Sequence, residues 1–187
     1  NTKELLKNTP IEFGIEVDIR SNNNKLIMHH DPFKDGELFE QWLNYYNHGT
    51  IILNVKEEGL EDPILKLMKK YSINNFFFLD QSFPFLRKTA LMGEKRCAVR
   101  ISEYEHINTA LSLSGMVDWV WADCFNDFPL SIEDGKRLKD AGFKICIVSP
   151  ELQGRSHSSH VIEFRRKIES LKIIGDAVCT KYPDLWA

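Results

Sequence analysis

Short runs rich in β-branched and aromatic residues alternate along this chain with longer runs whose apolar residues recur every three or four positions. The first kind predicts strands over Phe13–Arg20, Lys25–His30, Thr50–Lys56, Phe76–Asp80, Arg96–Ile101, Trp119–Cys124, Lys144–Ser149 and Ala177–Thr180. The second predicts helices over Thr2–Thr9, Pro63–Tyr71, Phe85–Met92, Glu103–Leu113, Ile132–Ala141 and Val161–Ile174. In the third of these strand-to-strand intervals Ile64, Leu65, Leu67 and Met68 are apolar while the lysines face away. Ser131 is a good N-cap and Gly142 a good stop for the helix between them, and Gly175 would close the last helix in the same way.

Strand–helix alternation implies a parallel sheet covered by helices. Seven strands keep that rhythm, while Lys25–His30 follows its neighbour too closely for a crossover helix. The count points to a TIM-type (β/α)8 barrel with one unit incomplete, its first strand missing from this chain. No linker, charge block or Pro/Ser-rich stretch divides the sequence, so one domain over 1–187 is expected. A doubly wound open sheet is the rival, but no Gly-rich phosphate loop follows any strand.

Composition narrows the partners. The 187 residues carry 24 Lys and Arg against 27 Asp and Glu, a net charge of −3. No basic excess is available for phosphate-backbone binding, so nucleic acid is not an expected partner. No apolar run approaches the ~20 residues of a membrane span and no secretory leader opens the chain, so a cytoplasmic location without a transmembrane segment is expected. Cys97, Cys124, Cys146 and Cys179 form no CxxC pair and sit in apolar runs, which reads as small core residues in a reducing compartment.

Three stretches carry chemistry. In Gly14–Arg20, residues two apart share a strand face, so Glu16 and Asp18 project together while Ile15, Val17 and Ile19 project the other way. Adjacent carboxylates repel, and a hard divalent cation with oxygen ligands is one direct remedy; a solvated surface strand is the other reading. His30 and Asp31 end the next strand before Pro32, where an imidazole can serve as general acid or base. Asn54 and Lys56 alternate with apolar neighbours and so share a face. Lys56 can hold an anion or neutralise the acids, or simply reach water.

In order, Glu16-x-Asp18, His30-Asp31 and Asn54-x-Lys56 resemble the motifs of the glycerophosphodiester phosphodiesterases, TIM-barrel hydrolases that depend on a metal. Asn1-Thr2, Ser82-Phe83 and the TKYPDL of Thr180–Leu185 add to the likeness, which runs along essentially the whole chain. The resemblance implies Mg²⁺ or Ca²⁺ on Glu16, Asp18 and Asn54, His30 as general acid/base, Lys56 on the phosphate, and a small phosphodiester as substrate. It also implies a second His and an Arg from an H-R-G strand, expected upstream of Asn1. Asn54 stands where the family has Glu, which removes one negative charge. Asp80 and Asp123, near predicted strand ends, are the acids that could substitute.

The N-x-K variant and the segment Ile147–Arg155, IVSPELQGR, are also similar to phosphodiesterase-like proteins of bacterial surface-glycan gene clusters, which implies a role in glycan biosynthesis. There Glu151 and Arg155 follow the seventh strand, a frequent phosphate site, and Arg155 could clamp a phosphate oxygen or pair with Glu151. Trp42, Tyr45 and Tyr46 could form an aromatic lid. The leading expectation is thus a metal-dependent phosphodiester hydrolase. The alternative is a degenerate, non-catalytic barrel that binds a phosphorylated glycan or lipid head group. Oligomeric state is not legible.

Overall fold

The computed structural model describes residues 1–155 and 157–186. The chain divides into two compact units, Asn1–Cys97 and Ala98–Ala187.

In the first unit, α1 (Lys3–Asn8) starts at Thr2, whose Oγ1 accepts from the Leu5 N–H at 3.2 Å. Strands β1 (Ile15–Asn22), β2 (Lys25–Met28) and β3 (Glu37–Leu38) follow, then α2 (Phe39–Leu43), β4 (Ile51–Val55), α3 (Glu61–Lys70), β5 (Phe76–Leu79) and α4 (Phe83–Leu91). The sheet runs in the order β3-β2-β1-β4-β5. β1 and β2 are antiparallel and joined through Asn23 and Asn24, both at positive φ, the turn that suits a two-residue hairpin. This explains a strand too close to its neighbour for a crossover helix.

β1 pairs in parallel with β4, and β4 with β5, so Asp18 lies beside Asn54 and Asn54 beside Leu79. The alternate positions Val17, Leu53 and Phe78 are fully buried. α3 covers the sheet with Ile64 and Met68 and keeps its lysines in solvent, as the periodicity implies. It begins earlier than its apolar run, because Pro63 is tolerated in a first helical turn.

The second unit contains β6 (Ala98–Ile101), α5 (Ile107–Leu111), β7 (Trp119–Ala122), α6 (Ile132–Asp140), β8 (Lys144–Val148), α7 (Ser158–Ser170) and β9 (Ala177–Cys179). Its sheet is parallel throughout in the order β6-β7-β8-β9, with 3-10 turns at Pro150–Gln153 and Pro183–Leu185. α6 carries a full capping box between Ser131 and Asp134, and Gly142 follows it at positive φ. Val120, Ala122, Leu138, Ile145, Cys146 and Val161 form a dry core.

The α/β class and its parallel pairing match the sequence reading. Hydrogen bonding gives a five-stranded mixed sheet and a four-stranded parallel sheet; no single closed cylinder is found among the described residues. Three local expectations change. α5 starts four residues late, because Ser102 and Glu105 close a turn on each other and His106 caps the helix instead. α7 stops at Ser170, with Lys172 in the left-handed region, while Gly175 is required for close packing: a Cβ there would lie 2.6 Å from Ile147 Cδ1. Trp42 is no lid. It is buried and packs on Phe39 and Tyr46 in the core of the first unit.

At Gly14, just before β1, a Cβ would meet the Thr50 carbonyl oxygen at 2.7 Å, while Ile15 N–H donates to that oxygen at 2.8 Å. Two backbones in contact cannot yield as a side chain can. Gly14→Ala is therefore expected to cost about 1–3 kcal/mol by forcing β1 from β4, read as a lowered urea midpoint.

Candidate active site

The parallel register of β1 and β4 assembles one polar cluster. Glu16 and Asp18 come from β1, Asn54 from β4, Lys56 from the residue after β4, and Asp80 from the residue after β5. Asp18 and Asn54 are more than nine-tenths buried. The Asn54 amide Nδ2 donates to Glu16 Oε1 at 2.8 Å. The Lys56 ammonium lies 3.2 Å from Asp18 Oδ1 and 3.4 Å from Asp80 Oδ2, bridging the two acids. Asp80 holds this place with φ at +60°, a conformation that Asp adopts more readily than most residues.

Burial, reinforced by the charge of Asp18, pushes the Glu16 carboxyl up to about 7, against the opposing pull of Asn54 and Lys56. Asn1 completes the frame. Its amide accepts from the Asp18 N–H at 2.8 Å and donates to Asp18 Oδ2 at 2.7 Å.

Among the described residues, one buried side-chain atom of the cluster lacks a partner. Asn54 Oδ1 is buried and accepts no hydrogen bond. An unsatisfied buried acceptor costs about 1–3 kcal/mol, and the acids beside it repel each other. An oxygen-seeking cation relieves both, so the donor set of two carboxylates and one amide oxygen fits Mg²⁺ or Ca²⁺. Because it uses an amide, it differs from a group of three or more His, Cys, Asp or Glu, of which none suited to a metal occurs among the described residues.

His30 stands at the end of the excursion after β2, with its side chain 71% exposed. It is not hydrogen-bonded to the carboxylates. It borders, with Asn1, His29 and Glu37, a cleft of about 460 Å³. Its Nδ1 lies 3.0 Å from Asp31 Oδ1. The hydrogen bond from His30 holds the Asp31 carboxyl below its ordinary range. An ionised carboxylate only accepts, so Nδ1 is the protonated nitrogen of the contact, and in the neutral ring Nε2 carries the lone pair.

The remaining candidates lie in the second unit. Asp123 is buried; its Oδ1 accepts from Gln153 Nε2 at 2.7 Å, and its Oδ2 is 3.7 Å from Arg100. Arg155 donates to the Cys124 and Phe125 carbonyls, so its fork is engaged with backbone rather than with Glu151. Glu151 is buried and accepts from Ser149 Oγ, from Thr180 Oγ1 and from the Lys181 N–H. Burial opposes its charge, yet these donors hold it below the ordinary carboxylate range. Glu151 thus ties the TKYPDL segment to the end of β8.

Sequence reasoning passed over Asn1 as a ligand of Asp18, Gln153 as a partner of Asp123, and Arg20. The signal for Arg20 was present: the alternation that pairs Glu16 with Asp18 places Arg20 on their face.

No family model and no curated protein matches the chain. Solved structures do. A protein of Agrobacterium tumefaciens assigned as a glycerophosphoryl diester phosphodiesterase superposes with a TM-score of 0.62 at 10% identity, covering 94% of this chain and 84% of that one. A glycerophosphodiester phosphodiesterase of the same organism gives 0.61 at 12% identity, covering 92% and 86%. The likeness is one of fold. Among the described residues, no helix is long and apolar enough to cross a membrane.

The elevated Glu16 carboxyl has a consequence for stability. Folding favours its neutral form, so that contribution is complete below pH 4.5 and is lost as pH rises through about 7. Glu16→Gln stays neutral throughout. In chelator, its Tm advantage over the native protein should be small near pH 4.5 and grow to a plateau by pH 8, at about 2–4 °C per kcal/mol. A difference flat in pH would mean that Glu16 is not held as described.

Proposed function

We propose that the chain is a metal-dependent phosphodiester hydrolase of the glycerophosphodiester phosphodiesterase type. The observation that carries this reading is the buried Asn54 oxygen, left without a donor between two carboxylates and beside the Lys56 ammonium. The fold shared with the two Agrobacterium proteins supports it.

Glu16, Asp18 and Asn54 would hold Mg²⁺ or Ca²⁺, which when bound supplies positive charge to a phosphoryl oxygen. Lys56 would add its own charge to the phosphate as charge builds in the transition state. With Asp18 and Asp80 on either side, its ammonium stays aimed at the cluster. His30 Nε2, with the lone pair that the Asp31 contact leaves to the neutral ring, would take a proton from the attacking water. As the new O–P bond forms, the P–O bond to the departing oxygen breaks, and that oxygen would leave as the alcohol by receiving the proton held on His30 Nε2. Asp31 acts through His30 by holding the tautomer.

A second reading rests on Asn54, which stands where the resembled family carries a third Glu. The charge lost there would suit a non-catalytic barrel that binds a phosphorylated glycan or lipid head group. Phosphate-ester binding without turnover, in the presence of Mg²⁺ or Ca²⁺, would select it.

Hydrolysis of bis(p-nitrophenyl) phosphate is expected to require divalent metal and to stop in EDTA, and Glu16→Gln should lower it by about 10²-fold or more. Turnover indifferent to chelator would remove the metal from the account. Asp31→Asn is expected to leave the fold intact and to lower kcat by about 10²-fold, because an amide no longer dictates which imidazole nitrogen is protonated.

A further inference from the structure

Arg20 has a side chain only 14% exposed, yet it reaches no carboxylate of the cluster at hydrogen-bond distance. Its Nε and Nη2 donate to the His30 carbonyl oxygen at 3.0 and 2.9 Å. Its Nη1 donates to the Lys56 carbonyl oxygen at 3.3 Å. Glu57 stands 3.7 Å from the same nitrogen. Glu57 is itself fixed by the Ser21 N–H at 3.2 Å and the Ser21 hydroxyl at 2.6 Å.

One planar group therefore holds the backbone of two residues that come from different elements and that bear the proton-transfer and phosphate roles proposed above. We propose that Arg20 is a positioning residue that sets the place of His30 relative to Lys56.

The chemistry favours arginine over any other side chain for this task. A guanidinium presents its donors in a fixed fork, so two carbonyls bound to it cannot shift independently. An ammonium is a point charge with rotatable donors and fixes no such angle. The need is greatest at His30. Its side chain is 71% exposed and gains no position from packing, so the ring goes where its backbone goes. The segment that follows is held loosely as well: Phe33 is fully exposed and at positive φ. Apart from the Arg20 fork, the hydrogen bonds from β1 to residues 29–35 among the described residues are the His29 N–H on the Asp18 carbonyl at 3.1 Å and the Asn22 amide on Asp35 Oδ1 at 2.8 Å, and neither is made by His30 itself.

This inference rests on the proposed phosphodiesterase reading for its kinetic part only; the coupling of the two backbones is a property of the folded chain. The test uses Arg20→Lys and Arg20→Gln. Amide hydrogen exchange followed by NMR should show the two hydrogen-bonded amides of residues 29–35, His29 on the Asp18 carbonyl and Asp31 on His29 Nδ1, exchanging about tenfold faster or more in both variants, with β4 and α3 unchanged. On bis(p-nitrophenyl) phosphate with Mg²⁺, kcat should fall by about 10²-fold while KM moves by less than about threefold, and Lys should not rescue it.

Unaltered exchange at 29–35 in either variant overturns the proposal whether or not the protein is an enzyme. Native kcat in Arg20→Lys overturns it as well. If the native protein shows no turnover, the phosphodiesterase reading fails and the exchange result alone decides the coupling. Should Arg20→Gln not fold, Arg20→Lys, which keeps the charge facing Glu57, carries the test.

Discussion

Two carboxylates that cannot separate are the constraint on which the rest of the first unit turns. Glu16 and Asp18 lie two residues apart on one strand, and the pleat holds them on one face. Burial denies them the water that would screen their repulsion. The fold answers with Lys56 on Asp18, the Asn54 amide on Glu16 and Asn1 on Asp18. That answer is incomplete, as the raised Glu16 carboxyl and the unpartnered Asn54 oxygen both record. A cost of this kind, concentrated on a few polar residues, is what marks the cluster as the candidate site.

The parallel register of β1 with β4 is what turns this strain into a site. Asp18 faces Asn54 across the ladder, and neighbouring strands lie about 4.8 Å apart, so polar tips on one face must meet. A slip of one residue would turn Asn54 and Lys56 to the apolar side, against Val17 and Phe78. The buried residues that hold the register are therefore as necessary to the chemistry as the acids. Asn54 in place of a third carboxylate fits the same economy of charge, since Asp80 already shares Lys56 with Asp18. The cluster is thereby spared one more buried negative charge.

Much of this was legible in the residues. All eight strands predicted from periodicity occur: seven pair in parallel and leave short apolar runs bounded by turn residues, and the eighth, β2, is the antiparallel arm of a hairpin. The shared face of Glu16 and Asp18, and that of Asn54 and Lys56, followed from alternation alone. What escaped was either too short or too indirect. β3 has two residues and α2 five, below the length at which a period can be recognised. The carbonyl partners of Arg155 leave no trace in side-chain identity, so a residue spaced for a phosphate is found holding Cys124 and Phe125. The alternation did place Arg20 on the face of Glu16 and Asp18; only its carbonyl partners, His30 and Lys56, were out of reach. An unpartnered oxygen is a property of geometry, so the sequence could offer Asn54 as a ligand with one charge fewer but could not show that its oxygen accepts no hydrogen bond. The superposition on proteins at 10% and 12% identity makes the same point at the scale of the chain. Pattern, rather than residue identity, carries the fold.

The measurement closest to the central claim is titration of the protein with Mn²⁺ while backbone amide signals are followed by NMR, since a paramagnetic ion broadens resonances around its own site. The account predicts that signals of residues 16–18 and 54–56 vanish first, at substoichiometric metal, and that Asp18→Asn abolishes the effect. Broadening that begins elsewhere, or that survives Asp18→Asn unchanged, would contradict it.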